Sequence, residues 1–289
     1  MGRTKTHPRL SVFQNGEIVG YLSKQPSGAV DFIYADEWLS HDKAYPVSLS
    51  LPLREEAFKG APVLAVFENL LPDSQSLRSR VAEKVGAAGT DAYSLLAQIG
   101  RDCVGALQFF PEDANVDFSN LHDIQGEEIN EEEIEDLLNN LARVPLGLDR
   151  EHDFRISVAG VQEKTALLFH KGKWLRPSGT TPTTHIFKNQ IGHLPNGIDL
   201  SNSVENEFYG LAVMEAFGLP VNKAEIKTFG NTKSLVIERF DRVWTQDRIL
   251  QRIPQEDCCQ ALGAKVNDSN EKLTKYKDQL YLVTSNKEY

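Results

Sequence analysis

The chain has 289 residues, 40% hydrophobic and 25% charged, enough apolar sequence for a sizeable core and too much for wholesale disorder. Its 31 Lys and Arg against 41 Asp and Glu leave a formal charge of −10, which excludes a surface that is a nucleic-acid footprint throughout. No apolar run approaches the roughly 20 residues of a membrane span, and no apolar h-region follows the basic, polar residues Met1 to Arg9. Cys103, Cys258 and Cys259 give neither an even disulfide framework nor a zinc spacing, so a reducing, cytoplasmic setting is expected.

Leu10 to Leu22 predicts a hairpin about Asn15-Gly16, and alternating Val30, Phe32 and Tyr34 predict a third strand. Pro46, Pro52 and Pro62 keep a long helix from beginning before Ala61. A helix is expected from Pro62 to Leu71. A second follows an Asp73 or Ser74 cap, with Leu77, Val81 and Val85 on one face until Gly86, and a short third runs from Asp91 to Ile99. Extended sequence from Gly105 to Phe110 closes a small α+β unit. The acidic stretch Glu127 to Asp136, with Ile129, Ile134, Leu137, Leu138 and Leu141 near helical spacing, reads as an amphipathic helix with a solvated face. Pro145-Leu146-Gly147 breaks it and marks a boundary.

Beyond that break, Ile156 to Val158, Thr165 to Phe169 and Lys173 to Leu175 predict a meander, and His185 to Lys188 a further strand. Ser203 is expected to cap a helix containing Val204, Glu207, Phe208, Leu211 and Met214, ended by Gly218 and Pro220. Ala224 to Thr228 and Ser234 to Glu238 predict two more strands. The expected fold class is α+β. A mixed strand and helix unit covers residues 1–145, a five-stranded nucleotide-lobe-like sheet with one principal helix lies within 146–263, and a polar tail covers 264–289.

Candidate chemistry centres on Phe154 to Thr165. Ala159 and Gly160 form a small-residue turn in which backbone N–H groups can approach a phosphate, and Lys164 adds positive charge. The stretch fits neither the P-loop nor the GxGxxG pattern, so a structural hairpin stays open as the alternative. Lys188 ends an apolar strand, and the next helix offers Glu205 and Glu207; two residues apart, they cannot share a face, so at most one pairs with Lys188. A phosphate loop, a strand lysine and a helix glutamate are the parts of a nucleotide-facing kinase lobe. Glu238-Arg239-Phe240-Asp241-Arg242 leaves the Leu235–Ile237 strand where such a lobe has its hinge, although charges there also mark a strand emerging into solvent.

In chain order, Ser48-Leu49-Ser50-Leu51-Pro52-Leu53, Phe67-Glu68-Asn69-Leu70-Leu71-Pro72-Asp73, Ile99-Gly100-Arg101-Asp102, the Ser157 loop, Thr181 to Lys188, Ser203 to Glu207 and Glu238 to Arg242 resemble the HipA family of bacterial toxin–antitoxin serine/threonine kinases. The resemblance runs from about Leu10 to Gly263, and Gln255-Glu256-Asp257 resembles the start of the family's C-terminal helical lobe. It implies an N-terminal subdomain ahead of a bilobed kinase core, with ATP and Mg2+ as cofactors. It implies that Val158, Ala159, Gly160, Val161, Gln162, Glu163 and Lys164 form the nucleotide loop, Lys188 is the phosphate-binding lysine and Glu207 its helix partner. Glu238 and Phe240 match the adenine-facing hinge, and Ser157 the serine whose autophosphorylation expels the loop. The implied partners are a helix-turn-helix antitoxin, operator DNA reached mainly through it, and a protein substrate; no membrane is implied. The family's Asp-Gly-His-Ala-Lys-Asn-like motif does not occur in the sequence. No catalytic or metal-binding residue is therefore assigned, and a kinase truncated in its C-terminal lobe, inactive as this chain alone, is expected. The alternative is a non-catalytic antitoxin-binding or decoy protein.

Overall fold

The computed structural model describes residues 7–118, 123–141, 143, 145–148, 162–193 and 196–264. Leu10–Gln14 (β1) and Glu17–Lys24 (β2) pair antiparallel around Asn15 and Gly16, which take the positive φ of 47° and 90° that a tight hairpin requires. Val30–Tyr34 (β3) joins β2 and buries Val30, Phe32 and Tyr34 on one face. Asp36–Leu39 (α1) and Phe58–Lys59 (β4) follow; at four and two residues they are too short to show a period in the sequence. Ala61–Glu68 (α2), Gln75–Val85 (α3) and Ala92–Ile99 (α4) are the expected helices. Ser74, not Asp73, caps α3, Gly86 ends it in the left-handed conformation, and Asp91 caps α4. Leu107–Pro111 (β5) completes a sheet of order β4-β3-β2-β1-β5. Phe32, Phe67 and Phe109 form its centre, with ring centroids 5.4 and 5.7 Å apart in succession.

Among the described residues the second sheet has six strands, five of them expected. Gly126–Glu128 (β6), Lys164–His170 (β7), Lys173–Pro177 (β8) and His185–Asn189 (β9) join Ala224–Phe229 (β12) and Thr232–Glu238 (β13) in the order β12-β13-β9-β7-β8-β6. The unexpected member, β6, begins the acidic stretch. Its helix starts only at Glu131–Asn139 (α5), behind an Asn130–Glu133 capping box. The apolar face of α5 covers this second sheet: Ile134, Leu137 and Leu138 cluster with Leu167, Phe187, Phe229 and Val236. Pro145–Gly147 forms a 3-10 turn whose Leu146, with Leu148, packs into the first core. The expected strand Ile156 to Val158 lies outside the described residues.

Gly192–His193 (β10) and Asp199–Leu200 (β11) make a small ribbon before Ser203–Ala216 (α6). Ser203 is the first helical residue and not the cap. Its hydroxyl accepts the Ile191 N–H at 2.8 Å, while Gln190 Oε1 accepts the Val204 N–H at 2.9 Å, so a residue upstream of the ribbon serves the helix start. Arg242–Trp244 (β14) and Leu250–Arg252 (β15) pair with each other, and Cys258–Ala261 (α7) opens with an Asp257–Gln260 capping box. No helix among the described residues is long and apolar enough to cross a membrane.

Candidate nucleotide-facing site

Antiparallel register between β7 and β9 sets Lys164 directly opposite Lys188, so both side chains leave the same face of the sheet. Lys188 Nζ donates to Glu207 Oε1 at 2.6 Å. Glu205, two residues earlier on α6, is turned to Lys233 and to Gln190 Nε2 at 2.5 Å. The choice of Glu207 over Glu205 therefore corresponds to the pair that forms. Lys164 is buried, and burial first, then the charge of Lys188, pushes its ammonium down to about 8, with Asp73 and Glu207 pulling the other way. Two adjacent ammonium groups, with Asp73 and Glu207 near them, place several N–H donors on one face, a donor set suited to phosphate oxygens.

Of the expected loop, Ser157, Val158, Ala159, Gly160 and Val161 lie outside the described residues. Its last members are anchored. Gln162 Nε2 donates to the Asn189 carbonyl at 2.8 Å, and Glu163 pairs with Arg80 of α3 at 2.7 Å. The loop's end is thus tied both to β9 and to the N-terminal helices.

At the exit of β13 the two expected hinge residues face outward. Phe240 is 61% exposed, and Glu238 lies 3.6 Å from Lys223 at the surface. The residues between and after them turn inward and build a buried ionic network that sequence reasoning missed. Arg239 grips Asp241 with two bonds, Nε to Oδ1 at 3.0 Å and Nη2 to Oδ2 at 2.8 Å. Asp102, from the turn after α4, accepts from Arg242 at 2.9 Å and Arg252 at 3.1 Å on one oxygen, and from Thr183 Oγ1 at 2.6 Å on the other. Burial alone would raise the Asp102 carboxyl; Arg242, Arg252 and Arg239, with the Thr183 hydroxyl, overcome it and hold the group well below the usual carboxylate range. Burial and the neighbouring Asp102 push the Cys103 thiol up to about 12, which keeps it protonated and inert. A partial signal was there: Glu238 and Phe240 are exposed while Arg239 and Asp241 are buried, so the alternation of β13 runs on for a few residues past its end at Glu238.

The Ser48–Leu53 motif has a structural role of the same kind. Ser48 Oγ donates to Glu256 Oε2 at 2.6 Å, the Leu49 N–H reaches Glu256 Oε1 at 3.1 Å, and Ser50 Oγ donates to the Gln260 carbonyl at 2.7 Å. Gln260 Nε2 in turn donates to the Val66 carbonyl at 2.9 Å. The chain that leaves the second sheet therefore docks back onto the N-terminal unit.

The class these observations define is a mixed α/β chain: an N-terminal sheet with helices, welded to an antiparallel sheet that carries a lysine pair against one helix glutamate. The HipA N-terminal domain matches residues 10–110 and the HipA-like C-terminal domain residues 156–288. The chain belongs to the HipA family. It is 35% identical over 255 residues to the kinase homologue Y4mE of Sinorhizobium fredii, covering 88% of this chain and 59% of that one. It is 30% identical over 241 residues to the serine/threonine-protein kinase toxin HipA of Shewanella oneidensis, covering 83% and 51%. The solved Shewanella oneidensis HipA, in complex with HipB and operator DNA, superposes with a TM-score of 0.69 at 27% identity, covering 90% of this chain and 57% of that one. The chain thus spans between half and three fifths of the length of these relatives. The match to residue 288 corrects the expectation that the resemblance ends near Gly263, and a truncated C-terminal lobe has no support from it.

Proposed function

We propose that this chain forms the ATP-binding part of a HipA-like toxin kinase. Lys164 and Lys188 face the nucleotide phosphates, Glu207 orients Lys188, and the Glu238–Phe240 exit meets the adenine. The observation that carries the reading is the Lys188–Glu207 bond beside a buried, cross-strand Lys164. Val158, Ala159, Gly160, Val161, Gln162 and Glu163 are the proposed loop over the phosphates, with Ser157 as a phosphorylation site. A phosphate there brings about −1.5 to −2 charges and competes for the same N–H groups, displacing the loop.

The lysine pair fits a polyphosphate. Mg2+ would arrive with the polyphosphate, held mainly by its oxygens and by water; among the described residues no group of three His, Cys, Asp or Glu side chains could hold a metal by itself, and no residue here is assigned to the ion. In the whole kinase the γ-phosphoryl group would pass from ATP to a serine or threonine of a protein. Phosphoryl transfer needs a carboxylate beside the acceptor hydroxyl, and the motif that supplies it in the family does not occur in these 289 residues. The chain alone is therefore proposed to bind ATP without transferring phosphate. Its proposed partner is a helix-turn-helix antitoxin, with operator DNA reached through that partner, in keeping with a formal charge of −10.

The test is incubation of the purified chain with Mg2+ and γ-labelled ATP. Label retained reversibly, with no transfer to Ser157 or to added protein, is expected. Covalent transfer that disappears in Lys188→Ala would overturn the claim of inactivity, and absence of any retained label would overturn the site.

A further inference from the structure

The backbone leaving β13 is held in place from the other half of the molecule. Strand pairing fixes it only as far as Glu238, the last residue in register with β9. The next residue, Arg239, donates its backbone N–H to the Thr184 carbonyl at 2.8 Å. Its guanidinium reaches Asp241 twice, the Cys103 carbonyl at 2.9 Å, Thr183 Oγ1 at 2.8 Å and Asp102 Oδ2 at 3.3 Å. Asp102 Oδ2 also accepts the Thr183 backbone N–H at 3.0 Å. One carboxylate of the N-terminal unit thus holds the side chain of Arg239 and the residue next to its backbone partner. The network buries three guanidinium groups, of Arg239, Arg242 and Arg252, against two carboxylates, Asp102 and Asp241. Removing the charge of Asp102 leaves three buried cations against one anion. Arg239 keeps Asp241 but loses the charged partner it shares with Thr183, so the Thr183–Thr184 segment that receives its N–H is held less firmly, and with it the backbone carrying Glu238 and Phe240.

We propose that Asp102 is a positioning residue for the base end of the nucleotide, so that the N-terminal unit sets the shape of the adenine-facing edge. This rests on the reading of Glu238 and Phe240 as that edge. Asp102 touches no ligand itself; it acts through Arg239. A base-end effect has a signature that loss of phosphate contacts lacks: adenosine and a nucleoside triphosphate weaken together.

The experiment titrates the full chain with adenosine and with Mg2+–adenylyl imidodiphosphate by calorimetry, and follows hydrogen exchange across Glu238–Arg242. In Asp102→Asn, both ligands are expected to bind about tenfold more weakly with their affinity ratio unchanged, and exchange at Arg239 to speed up. Lys188→Ala changes the ratio instead. Thr183→Val, which removes the two bonds of the hydroxyl, to Asp102 and from Arg239, and leaves every charge in place, gives a smaller loss for both ligands and decides the matter should Asp102→Asn not fold. Wild-type affinity for both ligands in a folded variant overturns the proposal and leaves the nucleotide site standing, as does weakening of the triphosphate alone. Failure of the unsubstituted chain to bind either ligand overturns the site reading and the proposal together.

Discussion

Lys164 titrates where an exposed lysine does not, because burial and then Lys188 lower it from 10.5 to about 8. Between those values the unfolded chain binds more protons than the folded one, so this group makes stability rise with pH across that window. Below about pH 8 both states are protonated and the cost of burying the charge is constant. Lys164→Met is expected to flatten the rise and to stabilise the fold at pH 7 by on the order of 1 kcal/mol, while weakening phosphate binding, as groups held for function commonly do. Denaturant titrations at pH 7, 8, 9 and 10 check this. An unchanged slope would mean that Lys164 is not the group responsible. Nearby, Glu207→Gln keeps a hydrogen-bond acceptor for Lys188 but removes the charge, and should cost less nucleotide affinity than Lys188→Ala, measured in one titration series.

Helix α5 shows what a period can and cannot tell. Three glutamates in its first turn, the Asn130 cap and the spacing of Ile134, Leu137 and Leu138 made the helix and its buried face legible. Which sheet that face covers was not legible, because an apolar stripe carries no address. Strand β6 ahead of it was hidden because Gly126, Glu127 and Glu128 are all exposed on a sheet edge and show no alternation. Ser203 misled for a related reason. A serine before an apolar run is a good cap locally, but Gln190, 14 residues from Val204, occupies the place. Ile134 is fully buried, so Ile134→Ala is expected to cost about 2–5 kcal/mol and Asn130→Ala about 1 kcal/mol, both read from chemical denaturation. Equal, negligible losses would show that α5 does not hold the second sheet.

For the whole molecule, the N-terminal unit and the second sheet share buried charges and a returning chain segment. The site was legible in part from the sequence. Lys188 and Glu207 lie on regular elements whose faces a pattern can predict, whereas Asp102 and Arg252 come from segments far apart in sequence that only the fold brings together. Asp102→Leu takes the carboxylate from Arg252 and leaves Arg239 and Arg242 to share Asp241; it is expected to cost about 3–5 kcal/mol, with both units unfolding in one transition by tryptophan fluorescence and by circular dichroism. Two separated transitions in the unsubstituted chain would contradict the weld. The Asp102 carboxyl is depressed in the fold, so its contribution is complete above its unfolded value near 3.9 and is lost only as pH falls further, toward the folded value.

The central claim is that the face bearing Lys164 and Lys188 holds the phosphates of ATP. Calorimetric titration of the full chain with Mg2+–adenylyl imidodiphosphate, beside Lys188→Ala, tests it most directly. The account predicts saturable one-to-one binding that weakens by about tenfold or more in Lys188→Ala while the unfolding temperature stays within a few degrees. Equal affinity in both proteins, or no saturable binding in the unsubstituted chain, would contradict it.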